Sequence, residues 1–419
     1  RLPVFESSLS PHLFSHHRPE SSADPSGYLD RVYHNSGSGS FRLSDPSVAF
    51  AATSEHFRAG KLSGAAVKAA DIDNDGDLDL VRTSRILPGQ YPVSAGTIIL
   101  RNDSKPGQIV FTDITSQSAP PLTNIGLVTD AMFSDIDNDG SVDLILVGEW
   151  MAPVILKNNK GVFTDITAAS GLAKETGWWN SIAAGDFDND GDVDFVFGNN
   201  GTNTVYQASV SEPAGIYAKD FNKDGVYDAM PTLYLQDSTG VRREYPAFGR
   251  DEMTKQIIQV RRKYPTFREF ALTSMDQMFT PEELQGAVIK HAVNLKTSYI
   301  ENLGGGKFKI SPLPVEAQFA PVFGMVAQDI NSDGKTDLIL NGNDFGVELS
   351  VGKCAAMNGL VMLGNGRGGF KALKPERSGF YVPGNGKALV SLKGANGGSV
   401  LFASQNNDRL LAFRQRVNK

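Results

Sequence analysis

The sequence predicts an all-β chain built from repeated four-stranded antiparallel sheets, and three observations predict it. An acidic nonapeptide, with Asp or Asn at positions 1, 3, 5 and 9 and Gly at position 6, occurs five times. Short apolar runs typical of strands flank the copies, as at 65–70 and 78–81. Glycine-rich turns between two further apolar runs follow, as at 302–308 and 364–370, and this is the composition of a β-hairpin.

The nonapeptides have the ligand pattern of a calcium loop. Alternating oxygen side chains point inward, glycine permits the sharp turn, and the backbone carbonyl of position 7 adds a ligand. Because the flanks predict strands, the EF-hand, whose loop joins two helices, is excluded. The predicted ligand positions are Asp71, Asp73, Asp75, Asp77 and Asp79; Asp135, Asp137, Asp139, Ser141 and Asp143; Asp186, Asp188, Asp190, Asp192 and Asp194; Asp220, Asn222, Asp224, Val226 and Asp228; and Asp329, Asn331, Asp333, Lys335 and Asp337.

Up to five Ca²⁺ ions are therefore expected, with a structural role. Magnesium is less expected because it keeps its own waters and requires stricter octahedral geometry. The last two copies carry Asn at position 3 and a Lys at position 4 or position 7. We expect these two loops to bind calcium more weakly than the first three.

One unit of strand, acidic loop, strand and hairpin gives four antiparallel strands, which is the blade of a β-propeller. The sequence predicts six or seven blades over residues 28–419, after an N-terminal extension over 1–27. Residues 379–415, with 384–387 in place of an acidic loop, are predicted to close the ring with residues 28–48, which would remove open sheet edges. A helical insertion is predicted at about 251–295, from apolar periodicity over 251–264 and a capping signal at Thr280.

Charge and composition exclude several classes of function. Net charge is −7, and twenty of the 47 Asp and Glu residues lie in the nonapeptides. The acidity is thus that of the metal loops and gives no argument for basic partners. The sequence has no cluster of Lys and Arg interleaved with aromatic residues, so nucleic-acid binding is not expected. No apolar run approaches the roughly 20 residues of a membrane span, and the lone Cys354 provides no disulfide framework.

The loops, their strand flanks and the glycine-rich hairpins resemble FG-GAP/VCBS repeats, which form the propellers of integrin α-subunits and of cartilage-acidic-protein-like secreted proteins. Segments 148–153, 177–180 and 198–203 are similar to large Bacteroidetes-type VCBS-repeat surface proteins. In those proteins an Asp-rich blade usually precedes the element at 28–33, so we interpret this chain as a fragment or a shortened member. The resemblance implies calcium binding and an extracellular or cell-surface location, associated with the outer membrane in a bacterium.

The three tryptophans, Trp150, Trp178 and Trp179, lie between two neighbouring acidic loops. They are candidates for a ligand-binding aromatic platform that stacks on sugars or a protein partner, and the alternative is packing between blades. The chain has no nucleophile elbow, HExxH, P-loop or Cys–His pairing.

The favoured interpretation is a non-catalytic, calcium-stabilised scaffold that binds a protein or a glycan at the cell surface. One alternative is a calcium-dependent polysaccharide lyase, which requires basic side chains that converge in a central cleft. Candidates for that role near one loop are Tyr217, Tyr227, Arg242 and Arg243. Another alternative is a subunit of a larger surface complex, docked through the helical insertion.

Overall fold

The computed structural model describes residues 63–105, 108–347, 352–393 and 398–414 with their side chains, and the backbone of 4–6, 31–35 and 41–43. Among these residues, β1 (Val4–Glu6), β2 (Arg31–Asn35) and β3 (Phe41–Leu43) form a three-stranded sheet. The described helices include none that is both long and apolar enough to cross a membrane.

The first two acidic loops each join the first two strands of an antiparallel sheet. The first sheet contains β4 (Ser63–Ala70), β5 (Asp79–Ile86), β6 (Ile98–Asn102) and β7 (Phe111–Asp113), paired in that order. The second contains β8 (Leu127–Ser134), β9 (Asp143–Met151), β10 (Val154–Asn159) and β11 (Val162–Asp165), and β9 also pairs with the short β12 (Gly177–Trp178). These pairings confirm the predicted order of strand, acidic loop, strand and hairpin.

The third sheet is interrupted by an insertion. Its strands are β13 (Ser181–Gly185), β14 (Asp194–Gly198), β19 (Ser298–Asn302) and β20 (Phe308–Pro312). Between β14 and β19 the chain forms a separate sheet, ordered β17-β16-β15-β18, from β15 (Ala214–Lys219), β16 (Asp228–Gln236), β17 (Arg242–Pro246) and β18 (Val288–Ala292). The fourth acidic loop joins β15 to β16, so it belongs to this inserted sheet.

Helices of the inserted segment are shorter than the sequence predicted. The predicted helix over 251–264 is divided into α3 (Arg250–Gln256) and α4 (Gln259–Lys263), because Ile257 leaves the helical conformation with φ −117° and ψ 89°. Two further helices, α5 (Phe267–Ala271) and α6 (Met275–Met278), follow. Apolar side chains of these helices pack against Met230 of β16.

The second helix of the insertion, predicted to begin at Thr280, does not form. Thr280 and Glu283 do exchange capping hydrogen bonds, at 3.2 Å and 2.8 Å, but only turns follow. Val288 to Ala292 then pair with β15, with Val288 opposite Ala218. β-Branched side chains favour that extended conformation, and pairing with an edge strand satisfies the backbone groups that a helix would have satisfied internally.

The fourth and last sheets complete the series. The fourth contains β21 (Val322–Gln328), β22 (Asp337–Gly342), β23 (Leu360–Gly364) and β24 (Phe370–Leu373), with the fifth acidic loop between β21 and β22. The last contains β25 (Gly386–Lys393), β26 (Ser399–Gln405) and β27 (Leu411–Arg414). Short helices connect the sheets: α1 (Thr115–Ser118), α2 (Thr167–Ser170), α7 (Pro375–Ser378) and 3₁₀ turns at Pro120–Asn124 and Val315–Gln318.

The prediction that residues 384–387 stand in place of an acidic loop is wrong: they lie at the start of β25, the first strand of the last sheet, and do not join its first two strands. The connection between β25 and β26 lies largely outside the described residues. Within the described part, β27 pairs with β26, and the sheet of β1–β3 is separate from it. Ring closure by 379–415 with 28–48, and six or seven blades, stay predictions.

Consecutive sheets pack face to face through apolar side chains. Val81 of the first sheet shares a buried cluster with Leu144 of the second, and Ile145 of the second shares another with Phe195 of the third. Val196 of the third packs with Leu340 of the fourth. In the same way, the fourth sheet packs on the last. The chain is therefore mostly β, with stacked four-stranded antiparallel sheets, as the fold class predicted.

Candidate metal centres

All five acidic loops adopt one backbone conformation. The glycine at position 6 has positive φ in every copy, between 78° and 96°. Position 4 is also left-handed, with φ between 58° and 65°, and is occupied by Asn74, Asn138, Asn189, Lys223 and Ser332. Asn tolerates this conformation better than most non-glycine residues. The sequence pattern did not assign a role to position 4, although three asparagines there were a usable signal.

The carboxylate at position 1 organises each loop through the backbone. Asp71 accepts hydrogen bonds from the amides of Asp75 and Gly76, at 3.1 Å and 3.0 Å. The corresponding Asp of the other four copies accepts a bond from the glycine amide at 2.9–3.2 Å. Since one carboxylate gathers two amides of a tight turn, the loop closes on itself before any ion is considered.

The carboxylate at position 9 is buried and joins the loop to its own sheet. Asp194 accepts bonds from the amide of Phe187 in the loop, the amide of Asn302 on β19 and the hydroxyl of Tyr299. Asp79 and Asp143 accept equivalent pairs of amide bonds. All five position 9 carboxylates are at most 5 % exposed: Asp79, Asp143, Asp194, Asp228 and Asp337.

Burial perturbs these position 9 carboxyl groups. Burial raises the pKa of Asp79, Asp194 and Asp228 from 3.8 to about 6, although backbone amides that donate to each carboxylate oppose the shift. Neighbouring carboxylates of the same loop raise each pKa further. Crowded acidic oxygens of this kind are stabilised in their charged form by a nearby cation.

Three loops bring carboxylates from positions 1, 3 and 9 together. In each, one oxygen per residue lies within 4.8 Å of the others: Asp71, Asp73 and Asp79; Asp135, Asp137 and Asp143; and Asp186, Asp188 and Asp194. Buried oxygens of Asp73, Asp77 and Asp137 have no hydrogen-bond partner. Buried oxygens without a donor are costly in a protein interior, and a hard cation would satisfy them. These residues therefore fit a divalent metal ion.

Position 5 has a partly different function from the one predicted. One oxygen of Asp75 accepts the amide of Asp77 at 3.0 Å, and Asp139 and Asp190 accept the position 7 amide in the same way. The position 5 carboxylate thus braces the turn with one oxygen and keeps the second for other contacts. This bond also orients the peptide of position 7, whose carbonyl was predicted as a ligand.

A lysine lies against the second loop. The ammonium of Lys157, on β10, contacts the carboxylate of Asp137 and lies 3.3 Å from Asp139. The equivalent residue in the first sheet, Arg101, pairs with Asp103 outside the nonapeptide. Lys157 therefore gives the second loop an ion-pair partner from its own sheet, whereas the ion pair described for Arg101 is with Asp103, outside the first loop.

The last two loops differ in their side chains. The amide nitrogen of Asn222 donates to Asp224 and to the carbonyl of Gln256 at the end of α3, both at 3.0 Å. Lys335 lies 3.6 Å from Asp333 in the fifth loop. Neither loop contributes a converging group of acidic residues among the described part of the chain. The weaker binding predicted for these loops agrees with this geometry and stays a prediction.

Acidic loops are also tied to the following sheet. The side-chain amide of Asn158, on β10, donates to the carbonyl of Ile72 in the first loop at 2.8 Å. Asn302, on β19, donates to Ile136 in the second loop at 3.0 Å. The amide of Gly368 donates to Phe187 in the third loop at 3.1 Å. Each of these loops is thus part of the contact between consecutive sheets.

The tryptophans do not form the exposed platform that the sequence suggested. Trp150, Trp178 and Trp179 are 4 %, 8 % and 0 % exposed. Trp150 and Trp178 make an edge contact at 4.7 Å and pack the second sheet against the inserted sheet, whose Ile216 lies in the same cluster. Trp179 packs between the second and third sheets. Their size serves buried contact between sheets, the alternative weighed from the sequence.

The four residues considered for a lyase site are dispersed or already paired. Tyr217 donates its hydroxyl to Glu244 at 3.0 Å. Arg242 pairs with Glu212 at 2.8 Å, and Arg243 pairs with Asp237 at 3.2 Å, both on the outer strand β17. Tyr227 lies in the fourth loop, where its amide donates to Gly89. These contacts stabilise the inserted sheet and do not assemble a basic cluster.

Comparison with known proteins identifies the repeat. Residues 135–197, which contain the second and third loops, match the family described as FG-GAP-like repeat. No curated protein matches the sequence. Similar solved structures include the V. cholerae biofilm matrix protein Bap1, at 9 % identity and a TM-score of 0.29, over 95 % of this chain and 76 % of that one. Another is the exotype rhamnogalacturonan lyase YesX, at 9 % identity and a TM-score of 0.32, over 83 % of this chain and 55 % of the lyase.

Proposed function

Because the chain carries an FG-GAP-like repeat, we propose that it is an extracellular, calcium-stabilised β-propeller that acts as a non-catalytic binding or assembly scaffold. One observation carries this proposal: carboxylates converge in three repeated loops, and in the first two of these loops buried carboxylate oxygens have no donor. Calcium suits such a site, since it accepts six to eight oxygens in flexible geometry. The ions have a structural role here, because each of these three loops links two strands and contacts the next sheet.

Calcium is tested by thermal unfolding of the whole chain in excess calcium and in EDTA. A ligand at 100 times its Kd stabilises the folded state by about 2.7 kcal/mol per site. We expect a large fall in melting temperature in EDTA, reversed by calcium and much less by magnesium. Equal melting temperatures in calcium and EDTA would refute the metal assignment.

A protein partner is favoured by the surface of the helical insertion. Ile258, Phe267 and Leu272 are 59 %, 62 % and 59 % exposed. All three belong to the helical segment of the insertion, and exposed apolar side chains that form a contiguous patch commonly mark a protein contact. This surface supports the proposed role as a subunit or scaffold in a surface assembly.

The partner is tested by a pull-down from native extracellular and membrane fractions. The variant pair Ile258→Ser and Leu272→Ser should lose a stoichiometric partner without a change in melting temperature. Leu410→Ser, which alters a side chain 61 % exposed just before β27, is the matched control and should keep the partner. Capture that is equal for all variants would contradict docking through the insertion.

The non-catalytic assignment is tested separately with uronate-containing polysaccharides. Whether or not the protein binds on a glycan array, we expect no ultraviolet absorbance from an unsaturated uronate product. Appearance of that product, dependent on calcium, would establish the lyase alternative instead.

A further inference from the structure

A cavity lined by both polar and apolar side chains lies where the first strands of the stacked sheets meet. Residues of β4, β8, β13, β21 and β25 line it, and its volume is about 600 Å³. This is within the usual range of small-molecule sites in proteins. None of the acidic loops lines it, so its chemistry is separate from that of the metal centres.

Arg85 enters this cavity with part of its guanidinium unused. Its Nε donates to Glu149 at 2.6 Å, and Glu149 also accepts the hydroxyl of Tyr91 at 3.0 Å. The two terminal nitrogens of Arg85 make no hydrogen bond to the described residues. The side chain is 13 % exposed, so these nitrogens face the cavity from a largely buried position. The free edge of a guanidinium group can donate two parallel hydrogen bonds to one carboxylate.

Lys387 enters the same cavity from β25. Its ammonium lies 3.7 Å from the centre of the Phe323 ring and 3.9 Å from Asp344, and it makes no hydrogen bond among the described residues. Burial lowers the pKa of Lys387, Asp344 opposes that shift, and the positive charge of Arg85 lowers the pKa further. Both cations line the same cavity, and a carboxylate held there would be attracted by both.

Most acceptors of the cavity are already engaged. Asp130 accepts the ammonium of Lys68 at 2.9 Å and the amide of Ile182 at 2.9 Å. Both oxygens of Glu149 accept bonds, as described above. Three cations and three carboxylates line the cavity, so net charge does not select an anion. The terminal nitrogens of Arg85 and the ammonium of Lys387 are the cationic donors left without a hydrogen bond among the described residues, and they are what a bound carboxylate would engage.

We propose that this cavity binds a small molecule that bears a carboxylate. The carboxylate accepts hydrogen bonds from the terminal nitrogens of Arg85 and from the ammonium of Lys387. The rest of the molecule lies against the apolar side chains of Phe323, Met325 and Leu389. This site goes beyond the proposed scaffold role and does not depend on it, since a small ligand at the meeting of the sheets is distinct from a partner on the outer surface.

Calorimetric titration of the whole chain in constant calcium tests the site, with sodium glucuronate and sodium succinate as probes. Glucose is the matched neutral control for glucuronate. We expect saturable binding of at least one carboxylate and binding of glucose at least about tenfold weaker. No binding of either carboxylate, or equal binding of glucose, would overturn the proposal. Tighter binding of inorganic sulfate or phosphate would also overturn it, because the site would then select tetrahedral anions.

Variants place the ligand within the cavity. Lys387→Met keeps the apolar stem and should weaken carboxylate binding at least about tenfold. Lys371→Met, at an exposed lysine on β24, should leave it unchanged. Equal affinity in the two variants would place the ligand elsewhere and overturn the site.

A measurement on the unaltered protein guards against a variant that fails to fold. The bound carboxylate should slow acetylation of Lys387, read by peptide mass spectrometry, without slowing that of Lys371. Equal rates with and without ligand would contradict the assignment. Calcium stabilisation and partner capture are read in other assays, so failure here leaves the proposed function standing.

Discussion

The first three acidic loops and the last two share a backbone and differ in their side-chain chemistry. All five have left-handed residues at positions 4 and 6, and all five bury the position 9 carboxylate. Only the first three bring acidic oxygens from positions 1, 3 and 9 together, within the described residues. The loop conformation is therefore set by glycine and by backbone hydrogen bonds, and the metal site is a separate property of position 3.

Replacement of the position 3 aspartates of the first three loops by asparagine, the residue found in the last two, should have the largest effect on calcium-dependent stability. The triple variant Asp73→Asn, Asp137→Asn and Asp188→Asn keeps an oxygen at position 3 but removes three negative charges. We expect it to lose about 2–3 kcal/mol of calcium-dependent stability for each loop, from the weaker ion binding. Calorimetry of calcium binding and thermal unfolding with and without calcium measure the loss.

The reverse change is the control for that comparison. Asn331→Asp should increase calcium binding at the fifth loop without altering its backbone. If the triple variant kept its full calcium stabilisation, position 3 would not distinguish the two groups.

The next largest expected effect is a pH dependence of stability in the calcium-free protein, which arises from position 9 carboxylates in loops of both groups. The folded pKa of Asp79, Asp194 and Asp228 is raised from 3.8 to about 6, so the folded, calcium-free protein binds protons more tightly than the unfolded chain. The resulting stabilisation is fully present below 3.8 and is lost as pH rises through about 6. As pH rises from 3.8 to about 6, the calcium-free protein should therefore lose stability, and the difference in melting temperature between calcium-bound and calcium-free protein should widen. A difference that stays constant over this range would contradict the prediction.

Removal of a hydrogen bond that ties a loop to the next sheet should lower the free energy of unfolding by a smaller amount. Asn158 is fully buried and its side-chain amide donates to Ile72 and Val142, at 2.8 Å and 2.9 Å. Asn158→Ala should cost about 2–3 kcal/mol, since it leaves buried carbonyls without a donor. Asn102, the equivalent residue on β6, makes no such bond to another sheet among the described residues. Denaturant unfolding should show under about 1 kcal/mol for Asn102→Ala, and equal losses would contradict the link.

Backbone strain at position 4 should give the smallest effect. Ser332 has φ 61°, where the first three loops carry Asn. Ser332→Asn should stabilise the protein by about 0.5–1 kcal/mol, because Asn adopts the left-handed conformation at lower cost. Asn138→Ser is the matched reverse change and should destabilise by a similar amount, although it also removes a bond to Asp192. Denaturant midpoints measure both, and a destabilised Ser332→Asn variant would contradict this account.

Local features of the fold followed well from the sequence. The acidic loops, the strands beside them and the hairpins at 302–308 and 364–370 lie where they were predicted. Each depends on residues near one another in the chain, namely glycine at required turns and apolar residues at strand spacing. The predicted helix after Thr280 failed because its capping signal is also local, whereas the pairing of β18 with β15 is not.

The placement of aromatic residues could not be inferred in the same way. Trp150 and Trp178 looked like an exposed platform because they lie near acidic loops in the sequence. Their burial depends on the inserted sheet, whose strand β15 begins at Ala214, far along the chain. Sequence patterns show which side chains are large and apolar, but not which distant segment covers them.

The sequence by itself determined the repeated unit, the acidic loops and their ligand chemistry, because glycine, aspartate and strand periodicity act over a few residues. The tertiary structure alone decided that the fourth loop belongs to an inserted sheet, that each of the first three loops is tied to the next sheet, and that Arg85 and Lys387 share a cavity. These arrangements join residues separated by tens to hundreds of positions. Their stability comes from burial and hydrogen bonds formed only when the sheets stack.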